Sequence, residues 1–268
     1  MTRSGDRNAV MINYVGRSPE RPRYYANDHS RDTVVIEPQS MSLTNGRGLG
    51  LGLNDAGFKL VQHKSGVADL SDRDQVPDYA REIEALLLAE TGADLVMVTG
   101  APILRFSERT GKAGSSDNSY PARFAHVDVS DATGQEFSAK RLPADRGPFT
   151  RAAHYNVWRV LSLAPQDVPL ALCDARSLGG DELIKADAIF DSPSGDWSFE
   201  GYVVAHDPRH RWMWFPDMAT DEAIIFKTHE SDPGAAQCVP HVAFDDPDCP
   251  GDAQARVSAE VRVIAYWW

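Results

Sequence analysis

From residue 168 onward the chain is a succession of short runs rich in apolar, β-branched and aromatic residues. "VPLALCD", "DELIKADAIF", "GYVVAHD", "RWMWFPDM", "EAIIFKTHE", "CVPHVAF" and "ARVSAEVRVIAYW" follow one another, separated by glycine, proline and aspartate turns. Strands this short, reversed this often, cannot each bury a face alone. They have to pair into antiparallel sheets that pack together or curl into a barrel. "RFAHVDVS" (123–130) has the same texture and belongs with them. The expected fold is mainly β (α+β), a double-stranded β-helix or jelly-roll core with flanking helices.

Ahead of that region, "VPDYAREIEALLLAETG" (76–92) places Ala80, Ile83, Leu86 and Leu87 at helical spacing. Asp78 can cap its start and Gly92 can end it. "ADLVMVTG" follows as a strand, and a second helix is expected through "PFTRAAHYNVWRVL" (148–161). "GRGLGLGL" (46–53) is not followed by a helix, so a glycine-rich loop is expected there rather than a dinucleotide site. No repeat, low-complexity block or linker divides the chain. One domain over 1–268 is expected, with residues 1–30, polar and arginine-rich around "AVMINYV", as an N-terminal extension.

The net charge of −12 disfavours nucleic acid or an anionic membrane surface as a partner. No apolar run is long enough to span a bilayer. The N-terminus lacks a secretory h-region. Cys173, Cys238 and Cys249 form neither a CxxC pair nor an even set. A cytoplasmic location is therefore expected, without disulfides or a thiolate zinc site. Oligomeric state is not legible.

In "RFAHVDVS", His126 and Asp128 stand two apart, so on a strand both project from one face. Alone, such a triplet reads as a surface His–Asp hydrogen bond. Two later features change its weight. His241 lies inside the apolar run "CVPHVAF" and can supply the second imidazole of a two-histidine, one-carboxylate set, the donor group that holds non-haem Fe(II) on one face and leaves positions open. Arg256 and Ser258, in "ARVSAEV", again stand two apart. A guanidinium fork and a hydroxyl together suit the distal carboxylate of 2-oxoglutarate. Arg105 and Ser107 repeat the spacing but precede His126, and only the order His-x-Asp, His, Arg-x-Ser suits an oxygenase.

Several stretches then resemble, in order, one known family. They are "GFKLVQHKSGVADL", "YAREIEALLLAETGADLVMV", "HVDVS", "NVWRVL", "PLALCDARSL", "RWMWFPDMATDEAIIFKTHES" and "PHVAFDDPDCPGDAQARVSAEVR". The family is the non-haem iron hydroxylase/desaturase group that includes the cephamycin 7α-hydroxylation component, aspergillic-acid-type hydroxylases and gibberellin desaturase-like fungal enzymes. The resemblance covers roughly residues 45–265. Val160 and Ala255 depart from it, each where proline is usual. It implies an Fe(II)- and 2-oxoglutarate-dependent dioxygenase of natural-product metabolism, with His126, Asp128 and His241 as metal ligands and Arg256 and Ser258 as the cosubstrate anchor. With O2 such a centre yields succinate, CO2 and a ferryl that abstracts hydrogen, leading to hydroxylation, desaturation or cyclisation of a small-molecule substrate. The presence of Asp128 argues against a halogenase, which needs that position small.

Asn156, Trp158, Arg159 and Arg262 are candidate substrate contacts, with an ion pair to Asp174 the plainer role for Arg159. Trp212 and Trp214 share a face, and at least one of them reads as core. Glu222, Lys227, His154, His206, His210 and His229 read as surface residues. Two rivals stand beside this reading: a cupin-like metal-dependent isomerase or dioxygenase that does not use 2-oxoglutarate, and a non-catalytic jelly-roll binding module.

Overall fold

The structure is a computed structural model and describes residues 5–192 and 195–268. In chain order its elements are β1 (Arg7–Val15), β2 (Arg23–Tyr25), β3 (Ile36–Asn45), β4 (Phe58–Gln62), α1 (Val76–Thr91), β5 (Leu95–Val98), β6 (Ile103–Phe106), β7 (His126–Val127), α2 (Asp131–Arg141), β8 (Arg151–Val160), β9 (Leu170–Cys173), β10 (Leu183–Phe190), β11 (Trp197–Val204), β12 (Trp212–Trp214), β13 (Glu222–Glu230), β14 (His241–Ala243) and β15 (Val257–Trp267). They form a nine-stranded sheet, β1-β3-β12-β9-β14-β7-β11-β10-β2, and a six-stranded one, β4-β13-β8-β15-β5 with β6 also on β15. This is the expected jelly-roll arrangement, and its runs from residue 168 are strands as anticipated.

Period-2 alternation sorts the side chains of the smaller sheet. Trp158, Val160, Ile224 and Phe226 turn inward, against Leu170, Leu172 and Met213 of the larger sheet. Tyr155, Val157, Ile225, Val261 and Val263 turn outward, beneath Tyr79, Ile83 and Leu87 of α1. Fully burying a side chain such as Ile83 or Leu87 is worth about 1.5–3 kcal/mol, which fixes the helix to the sheet. Gly92, at φ 65°, closes α1 with its N–H on the Leu88 carbonyl. The N-cap is Gln75, without a side-chain bond, and Asp78 sits in the first turn instead of capping.

The helix expected over 148–161 is instead β8, the central strand, paired with β13 on one side and β15 on the other. From Ala152 to Val160 every residue is buried, so the apolar–polar alternation that marks a half-exposed strand is missing. The helix that does form, α2, went unanticipated. It is polar, but Ser130 caps it by accepting the Thr133 N–H, a signal present in the sequence. Residues 1–4 of the expected N-terminal extension lie outside the described residues. Residues 7–15 are not an appendage: β1 pairs with β3 and buries Val10, Ile12 and Tyr14, and β2 pairs with β10. The glycine-rich stretch 46–53 is loop and turn.

Candidate metal centre and its surroundings

β7 and β14 are neighbours in the larger sheet, and His126 lies directly across from His241. The two rings are 4.2 Å apart between centroids. Asp128, just past β7, turns the same way as His126. Its Oδ1 is 3.5 Å from His126 Nε2 and 3.6 Å from His241 Nε2, and all three side chains are buried. The backbone approach is tight: a Cβ on Gly201 of the adjoining β11 would lie 2.7 Å from the Asp128 carbonyl oxygen.

Tautomers follow from the second nitrogens. His126 Nδ1 is 3.0 Å from the Phe124 carbonyl and His241 Nδ1 3.1 Å from the Val239 carbonyl. Carbonyls only accept, so both Nδ1 atoms donate and both Nε2 atoms are left facing Asp128. Burial, then His126, push His241 down to about 3, so it stays neutral. Burial alone would raise Asp128, but Arg262 and the two imidazoles outweigh it and hold the carboxylate well below its usual range. Three potential ligand atoms, one from each side chain, thus lie within 4.8 Å of one another. This donor set fits a divalent cation of the Fe(II) type.

The second oxygen of Asp128 is held from behind. Asn156 Nδ2 donates to Oδ2 at 2.8 Å, and Arg262 Nε stands 3.4 Å away. Asn156 and Arg262 face one another in the β8–β15 register, which explains why both reach one carboxylate. Both were expected to touch substrate; the structure sets both against Asp128, and both also line an adjoining cavity.

Arg256 and Ser258 lie deeper. Arg256 is 2% exposed, yet its Nε and one terminal nitrogen have no hydrogen-bond partner, and neither does Ser258 Oγ. Burial, with Arg123 and Arg105 nearby, lowers Arg256 to about 9. Orphaned donors in such a place call for an anion, and a carboxylate accepts all of them. Arg256, His126 and His241 border one narrow cavity of about 20 Å3, with Trp158 in its wall. That cavity shares Arg105, Pro121, Ala122 and His126 with a larger one of about 510 Å3. A third, of about 350 Å3, meets the larger at Asp128, Phe199 and Arg262.

Arg159 is not with this group. As an odd-numbered residue of β8 it faces α1, over the Tyr79 ring and bonded to His63 rather than Asp174. Arg105 and Glu260 were not anticipated. β6 pairs with β15 so that Arg105 sits opposite Ser258, and Glu260 Oε1 lies 3.8 Å from both Arg105 and Arg262. Burial, then Asp128, raise the Glu260 carboxyl, against the pull of the two arginines. Nothing in the sequence announces the β6–β15 pairing that distinguishes Arg105 from any other strand arginine.

The residues read as surface are largely interior. His154 takes Ser138 Oγ at 2.8 Å, His210 meets Tyr14 Oη at 3.0 Å, and His229 is packed against α2 at Gly134. Lys227 is buried on Glu230, and Glu222 is held by Arg47. Each had looked solvated because its partner is remote or unremarkable in sequence. Trp212 and Trp214 are both core, where at least one was expected to be.

A jelly roll enclosing two imidazoles and a carboxylate, beside a buried cation that lacks its anion, is the framework of the non-haem Fe(II)/2-oxoglutarate-dependent oxygenases. Comparisons narrow the class. Residues 12–266 match the family model described as oxidoreductase/YMDC permease-like domain. A hydroxylase/desaturase of Cercospora beticola, CTB9, is 31% identical over 86% of this chain and 77% of its own length. An alpha-ketoglutarate-dependent dioxygenase, phiK, from a fungal species is 28% identical over 85% and 84%. The solved iron and alpha-ketoglutarate-dependent endoperoxidase NvfI shares the fold, with a TM-score of 0.84 at 22% identity over 99% of both chains. The chain belongs to this oxidoreductase family of hydroxylase/desaturase enzymes, which use Fe(II), 2-oxoglutarate and O2 on small molecules, and the cupin-like alternative gives way to it. Among the described residues no helix is long and apolar enough to cross a membrane.

Proposed function

We propose that His126, Asp128 and His241 are the Fe(II) ligands and that Arg256 and Ser258 receive the distal carboxylate of 2-oxoglutarate. We further propose that the chain works as one cytoplasmic domain, hydroxylating, desaturating or oxidatively cyclising a natural-product or amino-acid-derived molecule, with neither nucleic acid nor membrane as partner. The observation that carries the reading is the pairing of a buried His–Asp–His cluster with buried, partnerless Arg256 and Ser258 donors.

When bound, the metal and cosubstrate supply the oxidising chemistry. The protein's share is placement. The Nδ1 bonds aim the imidazoles, and Asn156 and Arg262 occupy Asp128 Oδ2, leaving Oδ1 to face the histidines. Trp158, with the Arg256 guanidinium 5.7 Å over its ring, closes the anchor against water. Anaerobic addition of Fe(II) and 2-oxoglutarate should produce a weak visible metal-to-ligand charge-transfer band in the native protein and none in His126→Ala. No band in the native protein would overturn the assignment.

A further inference from the structure

The larger cavity meets the metal centre at His126 and Asp128 and carries six other acidic or basic side chains in its wall: His29, Asp32, Arg105, Glu108, Arg123 and Arg262. Each has an opposite charge close by, although Arg262 Nε is buried without a hydrogen bond and the acid nearest Arg105 is 3.8 Å away. His29 Nδ1 is 3.2 Å from Asp32, and Arg123 forms a two-pronged pair with Glu108 at 2.8 and 2.9 Å and a further contact with Asp245 at 3.0 Å. Arg105 donates to Asn118 and to the Tyr120 carbonyl, and Arg262 lies between Asp128 and Glu260. The neutral polar groups are partly engaged: Asn13 donates to the Arg123 carbonyl, and Asn118 Oδ1 accepts from Arg105. Between these closed pairs the wall is apolar, with Val34, Phe124, Ala188, Ile189, Phe190 and Phe199. Tyr24 differs. It lies half-buried in the same wall, edge-on to Phe124 at 5.3 Å, and its hydroxyl has no hydrogen-bond partner among the described residues.

Resting on the oxygenase reading above, we infer that the substrate is uncharged and largely apolar, fills much of the 510 Å3 cavity, and is oriented by one hydrogen bond from Tyr24 to an oxygen of its own. A carboxylate or ammonium entering this space would lose its hydration and find no counter-ion free, since any partner would first have to leave its present mate. A free amino acid, charged at both ends, is the wrong chemistry for this wall. A ring system bearing a ketone or hydroxyl is the right one, and the cavity is within the ordinary range for ligands of that size.

The test uses the full chain loaded anaerobically with Fe(II) and 2-oxoglutarate, its charge-transfer band recorded first. Three probes of one shape are then compared by quenching of tryptophan fluorescence: progesterone, the same steroid with a carboxylate in place of the acetyl group, and the same with a primary amine there. The uncharged probe should bind at least about tenfold more tightly than either charged one. Tyr24→Phe should weaken progesterone by about three- to tenfold without altering the band. Glu108→Gln, which removes one mate of Arg123, should narrow the gap between progesterone and the carboxylate. A charged probe that binds as tightly as progesterone, or a protein that shows the band yet binds no probe, overturns the inference and leaves the oxygenase assignment intact. Absence of the band overturns the assignment beneath it.

Discussion

Asn156 offers the most direct test of how the metal centre is held. Its amide donates 2.8 Å to Asp128 Oδ2, and the residue is 1% exposed in the middle of β8. Asn156→Leu keeps the volume and removes the donor. A hydrogen bond to a charged group is worth about 1.5–3 kcal/mol. At about 1.4 kcal/mol per decade, that range corresponds to about 10–100-fold in affinity. Losses of about 10–100-fold are also typical when a partner that orients a metal ligand is removed. Arg262 at 3.4 Å is a weaker restraint and does not replace the amide. The expected result is therefore a rise of one to two decades in the Fe(II) concentration needed for half-formation of the charge-transfer band at saturating 2-oxoglutarate. Thermal unfolding of the metal-free variant checks that the protein is folded. A folded Asn156→Leu protein with native Fe(II) affinity would refute the idea that Asp128 binds metal through Oδ1 while Asn156 secures Oδ2.

Arg256→Ala should raise the 2-oxoglutarate requirement by more than about 100-fold, and Arg256→Lys should not rescue it, because an ammonium cannot present a planar fork; titration of 2-oxoglutarate at fixed Fe(II) reads both. Glu230→Ala should cost about 3–5 kcal/mol in urea unfolding, because Lys227, bonded to it at 2.6 Å and fully buried, keeps a charge without a mate. Burial, then His229, lower His154 to about 3, so the folded protein favours its neutral form. The unfolded chain binds that proton near pH 6.5. The stabilisation is thus complete above about 6.5 and is lost as pH falls toward 3, with about 2 kcal/mol gone by pH 5. Unfolding the metal-free protein at pH 7.5 and pH 5 should show a smaller acid loss in His154→Gln than in the native chain.

How much of this was legible in the sequence depended on whether a residue's surroundings are local. The jelly roll was, because turn residues punctuate every strand after residue 168. So was the convergence of His126, Asp128 and His241, because strand periodicity orients neighbours two apart and an imidazole in an apolar run is conspicuous. β8 was misread because a strand buried on both faces loses its alternation and "TRAAHYNVWRVL" then imitates a helix. For Asn156 and Arg262 a second contact was not legible: that they reach Asp128 follows from the β8–β15 register, which no short motif encodes. Lys227 and His154 looked solvated because burial is decided by the packing of remote strands and α2, not by their neighbours in the chain.

One strand, β15, governs the interior of the site. Arg256 just before it and Ser258, Glu260 and Arg262 along it come up every second position on its inner side, while Ala259, Val261 and Val263 pack beneath α1. Deleting one residue at the start of this run would flip those that follow, driving Ser258, Glu260 and Arg262 into the oily layer and turning the apolar set toward the cavity. Catalysis and folding here hang on the same count of residues. Point substitutions along β15 can alter chemistry while sparing the architecture, whereas a single-codon loss would abolish both together.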